Sequence, residues 1–187
     1  MKKNIGNTLA LYPMPTVVIG AKVNGKASWT LVAHVGIVAH GRLLVSLHSA
    51  HYINKGIKES GHLSVNIVTE DFLSKADYCG IVSGGKTDKS VVFDSVTGDD
   101  GTPMARESPL SMECKVEDVY ECNGFENFIC SVSRTYADDS VLGTDGKLDY
   151  DRLKPVLFEF PTYRYLRTGS IIGHCTDAGR KYKENQS

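Results

Sequence analysis

The stretch Thr16–Val23, TVVIGAKV, of this 187-residue chain is rich in β-branched residues and runs directly into Asn24-Gly25. Asn-Gly between apolar runs is the strongest short-range signal for a β-hairpin, since both residues tolerate the positive φ angles of a tight turn. The sequence therefore predicts a strand that ends in a two-residue turn, with Ser28–Leu31 following that turn.

Further apolar runs of strand length recur along the chain, at Arg42–Leu47, His62–Thr69, Leu110–Tyr120 and around Asn127–Arg134. The last two flank Asn123-Gly124, a second hairpin signal. Many short strands separated by turns are typical of a barrel, whereas a parallel sheet needs strands that alternate with long helices. We therefore expect a mainly β protein, a β-barrel with a few helices.

Apolar residues recur at the spacing of an α-helix in only a few short segments. Ser49–Ser60 has Ile53 and Ile57 on one face and is followed by Gly61 as a C-terminal cap. Thr69 is predicted to cap a second short helix. The polar stretch Asp94–Ser108 is predicted to be a loop, and Gly179–Ser187 to be a solvated tail.

Composition excludes several classes of protein. The chain is 41% hydrophobic and 23% charged, with a net charge of −1 and no long basic run, which argues against a nucleic-acid partner. No apolar run is long enough to cross a bilayer, and the N-terminus lacks the apolar core of a signal peptide, so we expect one cytoplasmic domain without a membrane partner.

Cysteine and histidine spacing predicts neither disulfides nor a metal site. The five cysteines are odd in number and include no Cys-x-x-Cys pair, and the six histidines include no His-x-x-x-His pair. Cys114 and Cys130 lie in alternating apolar runs and are expected to be small buried hydrophobic residues.

The stretch 76–89, ADYCGIVSGGKTDK, has the chemistry of an anion-binding loop. Small residues let backbone amides approach an oxyanion, the Ser83 hydroxyl can donate to it, and Lys89 can neutralise it. Neither a Walker loop nor Gly-x-Gly-x-x-Gly occurs. A simple surface loop has the same composition, and that alternative stays open here.

Four features occur in order along the chain and together identify a family resemblance. The first two are Tyr12-Pro13-Met14-Pro15 before a strand, and Asn24-Gly25-Lys26 followed by Ser28-Trp29-Thr30. The other two are Leu44–Leu47 leading into Ser49–Asn54, and Cys79-Gly80 with Ser83-Gly84 and Asp88-Lys89. The combination resembles the flavin reductase-like family with an FMN-binding split barrel of Greek-key type, most closely its flavoredoxin branch. The similarity spans about Pro13–Gly173, a single domain within residues 1–187.

The resemblance implies a homodimer with FMN at the barrel edge near the subunit interface. It also implies reduction by NADH or NADPH and transfer to a small-molecule or protein electron acceptor. Hydride chemistry is carried by FMN itself, so no catalytic side chain is predicted. Two alternatives stay open: an electron carrier of flavoredoxin type reduced by a protein donor, and a split-barrel module that binds haem or another ligand, with His34 or His174 as candidate ligands.

The candidate FMN-binding residues fall into three groups. The phosphate group comprises Ser46, His48, Ser49 and His51 at a strand-to-helix turn, with Ser83, Lys89 and the ribityl candidate Asn54. The ring group comprises Ser28, Trp29, Thr30 and Leu31, with backbone amides directed at the flavin. The third is Arg167, in an aromatic stretch near the C-terminus. Relatives often have arginine, serine or threonine where this chain has His48, Ser49 and His51, which makes the positive charge there dependent on pH.

Several of these residues also have ordinary structural interpretations. Ser49 is equally suited to helix capping, and Asn54 to a solvated helix face. Trp29 suits a core position as well as a flavin cover. The tail around Tyr165 and Arg167 suits packing against a dimer partner. Cys79 has no resolving partner in sequence, so a buried inert thiol is expected there.

Overall fold

The computed structural model describes residues 1–184, and its strands greatly outnumber its longer helices. The strands are β1 (Met14–Pro15), β2 (Val17–Val23), β3 (Lys26–Val32), β4 (Val35–Ala39), β5 (Arg42–His48), β6 (His62–Ile67), β7 (Ser95–Thr97), β8 (Pro103–Ala105), β9 (Leu110–Cys122), β10 (Phe125–Ala137), β11 (Leu157–Glu159) and β12 (Arg164–Leu166). The helices are α1 (Ile53–Ser60), α2 (Leu73–Ile81), α3 (Tyr150–Leu153) and α4 (Asp177–Glu184).

Seven strands form one antiparallel sheet in the order β3-β2-β6-β9-β10-β5-β4. β3 and β4 are separated by only two residues in the chain yet lie at the two ends of this order, so the sheet must curl back on itself. β5 pairs with β10 rather than with β6, a non-local connection of Greek-key type. The mainly β split barrel predicted from the sequence is confirmed.

Both predicted hairpin turns are present. Asn24 and Gly25 have φ angles of 51° and 78°, and Asn123 and Gly124 have 49° and 80°. Positive φ at both central residues suits the right-handed twist of the flanking strands. These local turns fix the registers of β2 with β3 and of β9 with β10.

Two apolar clusters lie on opposite faces of the sheet. The barrel interior holds Ile19, Leu63 and Phe128, closed by Ile53 and Ile57 of α1. Cys114 and Cys130 belong to this interior and are free thiols, as predicted. The other cluster packs α2 against β3 around Trp29, Phe72 and Phe93.

The structure corrects three local predictions. α1 begins at Ile53 rather than Ser49, because the chain first makes a turn in which the His51 amide donates to the His48 carbonyl. The Thr69 side chain makes no capping hydrogen bond. The segment Asp94–Ser108 includes the β7–β8 ribbon, whose residues Pro103–Ala105 are buried.

The tail predicted to be solvated carries α4, and Arg180 and Tyr182 in it are exposed. Residues 185–187 lie outside the described residues. Within residues 1–184, none of the helices is both long enough and apolar enough to span a membrane.

Candidate functional site

A cavity of about 290 Å³ lies where β3, the turn after β5 and the segment after α2 meet. We call it the β3 cavity. It brings together most of the predicted phosphate and ring residues, which approach from three separate parts of the chain: Ser28, Trp29, Thr30, His48, His51, Ser83 and Lys89.

A second cavity of about 360 Å³ adjoins the first and shares His48, His51, Gly80 and Ile81 with it. We call it the aromatic cavity. Two further predicted residues, Leu31 and Ser46, line this space rather than the first. The shared residues make the two cavities one continuous cleft along the barrel edge.

Lys89 is the dominant charge of the β3 cavity. Only 6% of the residue is exposed, and its Nζ donates to the carbonyl oxygens of Trp29 at 3.0 Å and Cys79 at 2.7 Å. Burial lowers its pKa from the usual lysine value. Among residues 1–184 Lys89 forms no ion pair, and its buried ammonium donates to backbone carbonyl oxygens alone.

Local structure explains why Lys89 points inward. The Lys86 and Thr87 amides both donate to the Ser83 carbonyl, which folds the loop into a turn. Asp88 is held on the outside, because its carboxylate pairs with Lys26 at 2.8 Å and accepts from Ser90. Lys89 thus enters the cavity while its neighbour stays at the surface.

Gly84 lies close to the turn before α1. A Cβ at Gly84 would lie 3.0 Å from the Tyr52 ring and 3.4 Å from Ser28 Oγ. The first distance is tighter than an ordinary van der Waals contact, so a side chain at position 84 would require the Tyr52 ring to shift by a few tenths of an ångström.

His51 is the second titratable group of the cavity. Burial lowers its pKa, and the positive charge of Lys89 lowers it further. Its Nδ1 lies 3.4 Å from Thr30 Oγ1, which connects the helix turn to β3. At neutral pH His51 is therefore an uncharged hydrogen-bonding group, and the positive charge of the site comes from Lys89.

His48 is exposed and lies at the mouth of the cleft. Its Nδ1 accepts from the Ala50 amide at 3.1 Å, and its ring packs edge-on against Phe125 with centroids 5.3 Å apart. Both contacts fix the imidazole at the boundary of the two cavities.

The Trp29 ring is a core side chain and not a flavin cover. It is fully buried and packs edge-on against Phe93 with centroids 5.4 Å apart. It also fills the space above Gly20, where a Cβ would lie 2.3 Å from the ring. What Trp29 offers the cavity is its backbone, whose carbonyl accepts from Lys89.

Three predicted residues lie outside the cleft. Asn54 is buried and donates to the His48 carbonyl and to Glu126, so it stabilises the turn before α1. Ser49 lines a surface depression beside α1, which shares His51 and Tyr52 with the β3 cavity. Arg167 makes a two-point ion pair with Glu70, at 2.6 and 2.7 Å, and lines neither the β3 cavity nor the aromatic cavity.

Sequence reasoning missed the aromatic wall of the second cavity. Phe125, Phe158, Phe160 and Tyr163 line it, together with Tyr165, whose hydroxyl donates to Asp77 at 2.5 Å. The abundance of aromatic residues between Pro155 and Gly173 was the available signal. It did not show that β11 and β12 return to the barrel edge.

Redox and metal chemistry by side chains finds no support in the described residues. Cys79 is fully buried, and burial raises its pKa to about 11, which keeps it a thiol at neutral pH. Residues 1–184 contain no group of three or more histidine, cysteine or acidic side chains placed to hold a metal ion.

Comparisons with known proteins show the family and the fold of the chain. A sequence model described as "Flavin reductase like domain" matches residues 9–167. The structure is similar to flavoredoxin from Methanosarcina acetivorans, with 34% identity, a TM-score of 0.92, and coverage of 97% of this chain and 99% of that one.

Two further solved structures show the same fold. Flavoredoxin of Desulfovibrio vulgaris (Miyazaki F) is 29% identical with a TM-score of 0.89, covering 96% of this chain and 100% of that one. An FMN-binding protein from Thermus thermophilus is 14% identical with a TM-score of 0.80, covering 93% of this chain and 99% of that one. No curated protein matches the chain.

Proposed function

The chain belongs to the flavin reductase-like family, and from that premise we propose that it binds FMN in the cleft and passes electrons from NADH or NADPH through the flavin to an acceptor. The observation that carries this proposal is Lys89, a buried ammonium held by two carbonyls, with no ion pair in the described chain. An anionic cofactor supplies the missing negative charge.

The other residues of the β3 cavity fit the same group. Ser28, Thr30 and Ser83 bring hydroxyls, and His51 brings a neutral imidazole. Lys89, Ser83 and His51 would hold the anionic end of FMN. The backbone of β3 from Ser28 to Leu31 would border the ring, beside the aromatic cavity.

When bound, FMN supplies a ring that accepts and releases hydride, and the protein supplies placement and charge. Lys89 would stabilise negative charge on the cofactor in a site where burial strengthens the interaction. His48 and Phe125, whose rings pack edge-on, would border the flavin ring at the mouth of the cleft. No general acid or base is required of the chain for hydride transfer.

A second copy of the chain would complete the cleft, which is the homodimer part of the proposal. Ile81 lines both cavities yet is 75% exposed. Phe160 and Tyr163, which line the aromatic cavity with Ile81, are also exposed, at 44% and 69%, and a cluster of exposed large apolar side chains is typical of a surface that a partner covers. A partner seated on Ile81 would exclude water from the bound ring.

A non-enzymatic electron carrier is the second candidate. The observation that favours it is the similarity to two flavoredoxins at 34% and 29% identity over nearly the whole chain. The same cleft would then take electrons from a protein donor. The haem alternative has less support, because it leaves the buried cation Lys89 unexplained.

Visible absorption under anaerobic conditions tests these candidates. We expect flavin bands after addition of FMN, and bleaching of those bands on addition of NADH or NADPH. Flavin bands that bleach only with a reduced protein donor would support the carrier instead. A Soret band without flavin bands would select haem, and no bound chromophore at all would contradict the FMN proposal.

A further inference from the structure

The aromatic cavity has a composition suited to a flat, uncharged molecule. Its wall is formed by Phe125, Phe158, Phe160, Tyr163 and Tyr165. Phe160 and Tyr163 have centroids 5.0 Å apart, and Phe158 and Tyr165 have centroids 5.4 Å apart, so the rings support one another. Such a wall favours planar conjugated ligands through ring stacking and apolar burial.

The charges around this cavity disfavour anionic ligands. Among the described residues that line it, none is a lysine or an arginine. The one carboxylate, Asp77, accepts the Tyr165 hydroxyl at 2.5 Å. A ferric chelate or a phosphate ester would find no lysine or arginine among these lining residues, whereas a neutral aromatic carbonyl compound requires no counter-charge.

His34 is the polar group placed to orient such a ligand. Its ring packs 6.0 Å from Phe125 and 6.2 Å from Phe160, both of which line the cavity. Nε2 lies 3.2 Å from the Tyr12 hydroxyl, and Nδ1 has no hydrogen-bond partner among the described residues. In the tautomer in which the Tyr12 hydroxyl donates to Nε2, Nδ1 carries the ring hydrogen and can donate to a carbonyl oxygen.

We propose that the aromatic cavity binds a quinone as the electron acceptor, with His34 as a residue that determines specificity by donating to a quinone carbonyl oxygen. The inference rests on the proposed function, since bound FMN is the source of the electrons. The quinone gains two electrons and two protons and becomes a hydroquinone. Reduced FMN loses the same two electrons and two protons and returns to its oxidised form.

Stopped-flow reoxidation under anaerobic conditions tests the proposal without any nicotinamide. FMN-loaded protein, reduced with one equivalent of dithionite, is mixed with menadione or with the anionic acceptor ferricyanide. We expect the rate of flavin reoxidation to saturate as the menadione concentration rises. His34→Ala should raise the half-saturating concentration by about 2- to 12-fold, the loss of one hydrogen bond. His34→Gln, which keeps a donor, should recover part of that loss.

The controls separate the acceptor site from the fold and from FMN. His40→Ala changes an exposed histidine that lines neither cavity, and it should match the wild type. Ferricyanide rates should be equal in all variants. Equilibrium dialysis of menadione against oxidised, FMN-loaded protein should show retention that His34→Ala weakens.

The proposal would be overturned if the rate of flavin reoxidation stayed proportional to the menadione concentration and the protein retained no menadione in dialysis. Retention that is equal in wild type and His34→Ala would overturn the role of His34. Failure of FMN to bind would instead defeat the proposed function. Dialysis of menadione against the FMN-free protein would still decide whether the aromatic cavity binds a quinone.

Discussion

At the scale of single residues, Lys89 is the group on which FMN binding should depend most. Lys89→Ala removes one charge-assisted contact, and we expect FMN binding to weaken by roughly 10- to 150-fold. Lys86→Ala is the matched control, because Lys86 is an exposed lysine of the same loop. Fluorescence titration with FMN measures both variants, and equal affinity in Lys89→Ala and wild type would return Lys89 to a structural role.

The stability of the Lys89 variant needs its own measurement, because this lysine is buried. Its replacement leaves the carbonyls of Trp29 and Cys79 without a donor. We therefore expect a moderate drop in the thermal unfolding temperature. Lys89→Met keeps the apolar stem and removes only the charge, so it should lose FMN affinity while recovering part of the packing.

His51 should make the stability of the FMN-free protein depend on pH. Its pKa is lowered in the folded state, so the unfolded chain binds a proton more readily. The free energy of unfolding should then fall as pH falls below about 6.5, and this loss should be absent near neutral pH and above. Chemical denaturation of wild type and His51→Asn between about pH 7.5 and about pH 5 measures it. If the free energy of unfolding of the two proteins had the same pH dependence, this contribution of His51 would be contradicted.

Residues differ in how visible their roles are in the sequence. Lys89 could be proposed from the sequence because it closes a loop of small and polar residues, but its contact with the Trp29 carbonyl, 60 positions earlier in the chain, could not. Arg167 could not be placed, since its partner Glu70 lies 97 positions earlier in the chain. The Trp29 ring was ambiguous for a similar reason, because only tertiary packing with Phe93 assigns it to the core.

At the scale of elements, the contact between α1 and β2 places the turn that carries His51. A Cβ at Gly56 would lie 2.0 Å from the Lys22 carbonyl oxygen, so α1 sits directly on the strand. Gly56→Ala should cost about 1–3 kcal/mol of unfolding free energy through overpacking. Gly36→Ala is the control, since a Cβ there meets nothing within 4 Å. Equal denaturation midpoints for the two variants would show that α1 can shift freely.

The elements that could be predicted from the sequence are those with local signals. The hairpins at Asn24-Gly25 and Asn123-Gly124 follow from turn chemistry alone. The β7–β8 ribbon was hidden in a polar segment, because its burial depends on distant β6. The pairing of β1 with β11 joins residues more than 140 positions apart, and no local pattern encodes it.

At the scale of the whole molecule, dimerisation and FMN binding should be coupled through Ile81. A dimer has twice the 20.4 kDa mass of the chain, and analytical ultracentrifugation distinguishes the two states. Ile81→Asp places a charge in the proposed interface, so we expect it to favour the monomer and to weaken FMN binding together. Ile172→Asp is the matched control, because Ile172 is fully exposed and lines neither cavity. A wild-type monomer that binds FMN with undiminished affinity on dilution would show that one chain completes the cleft alone.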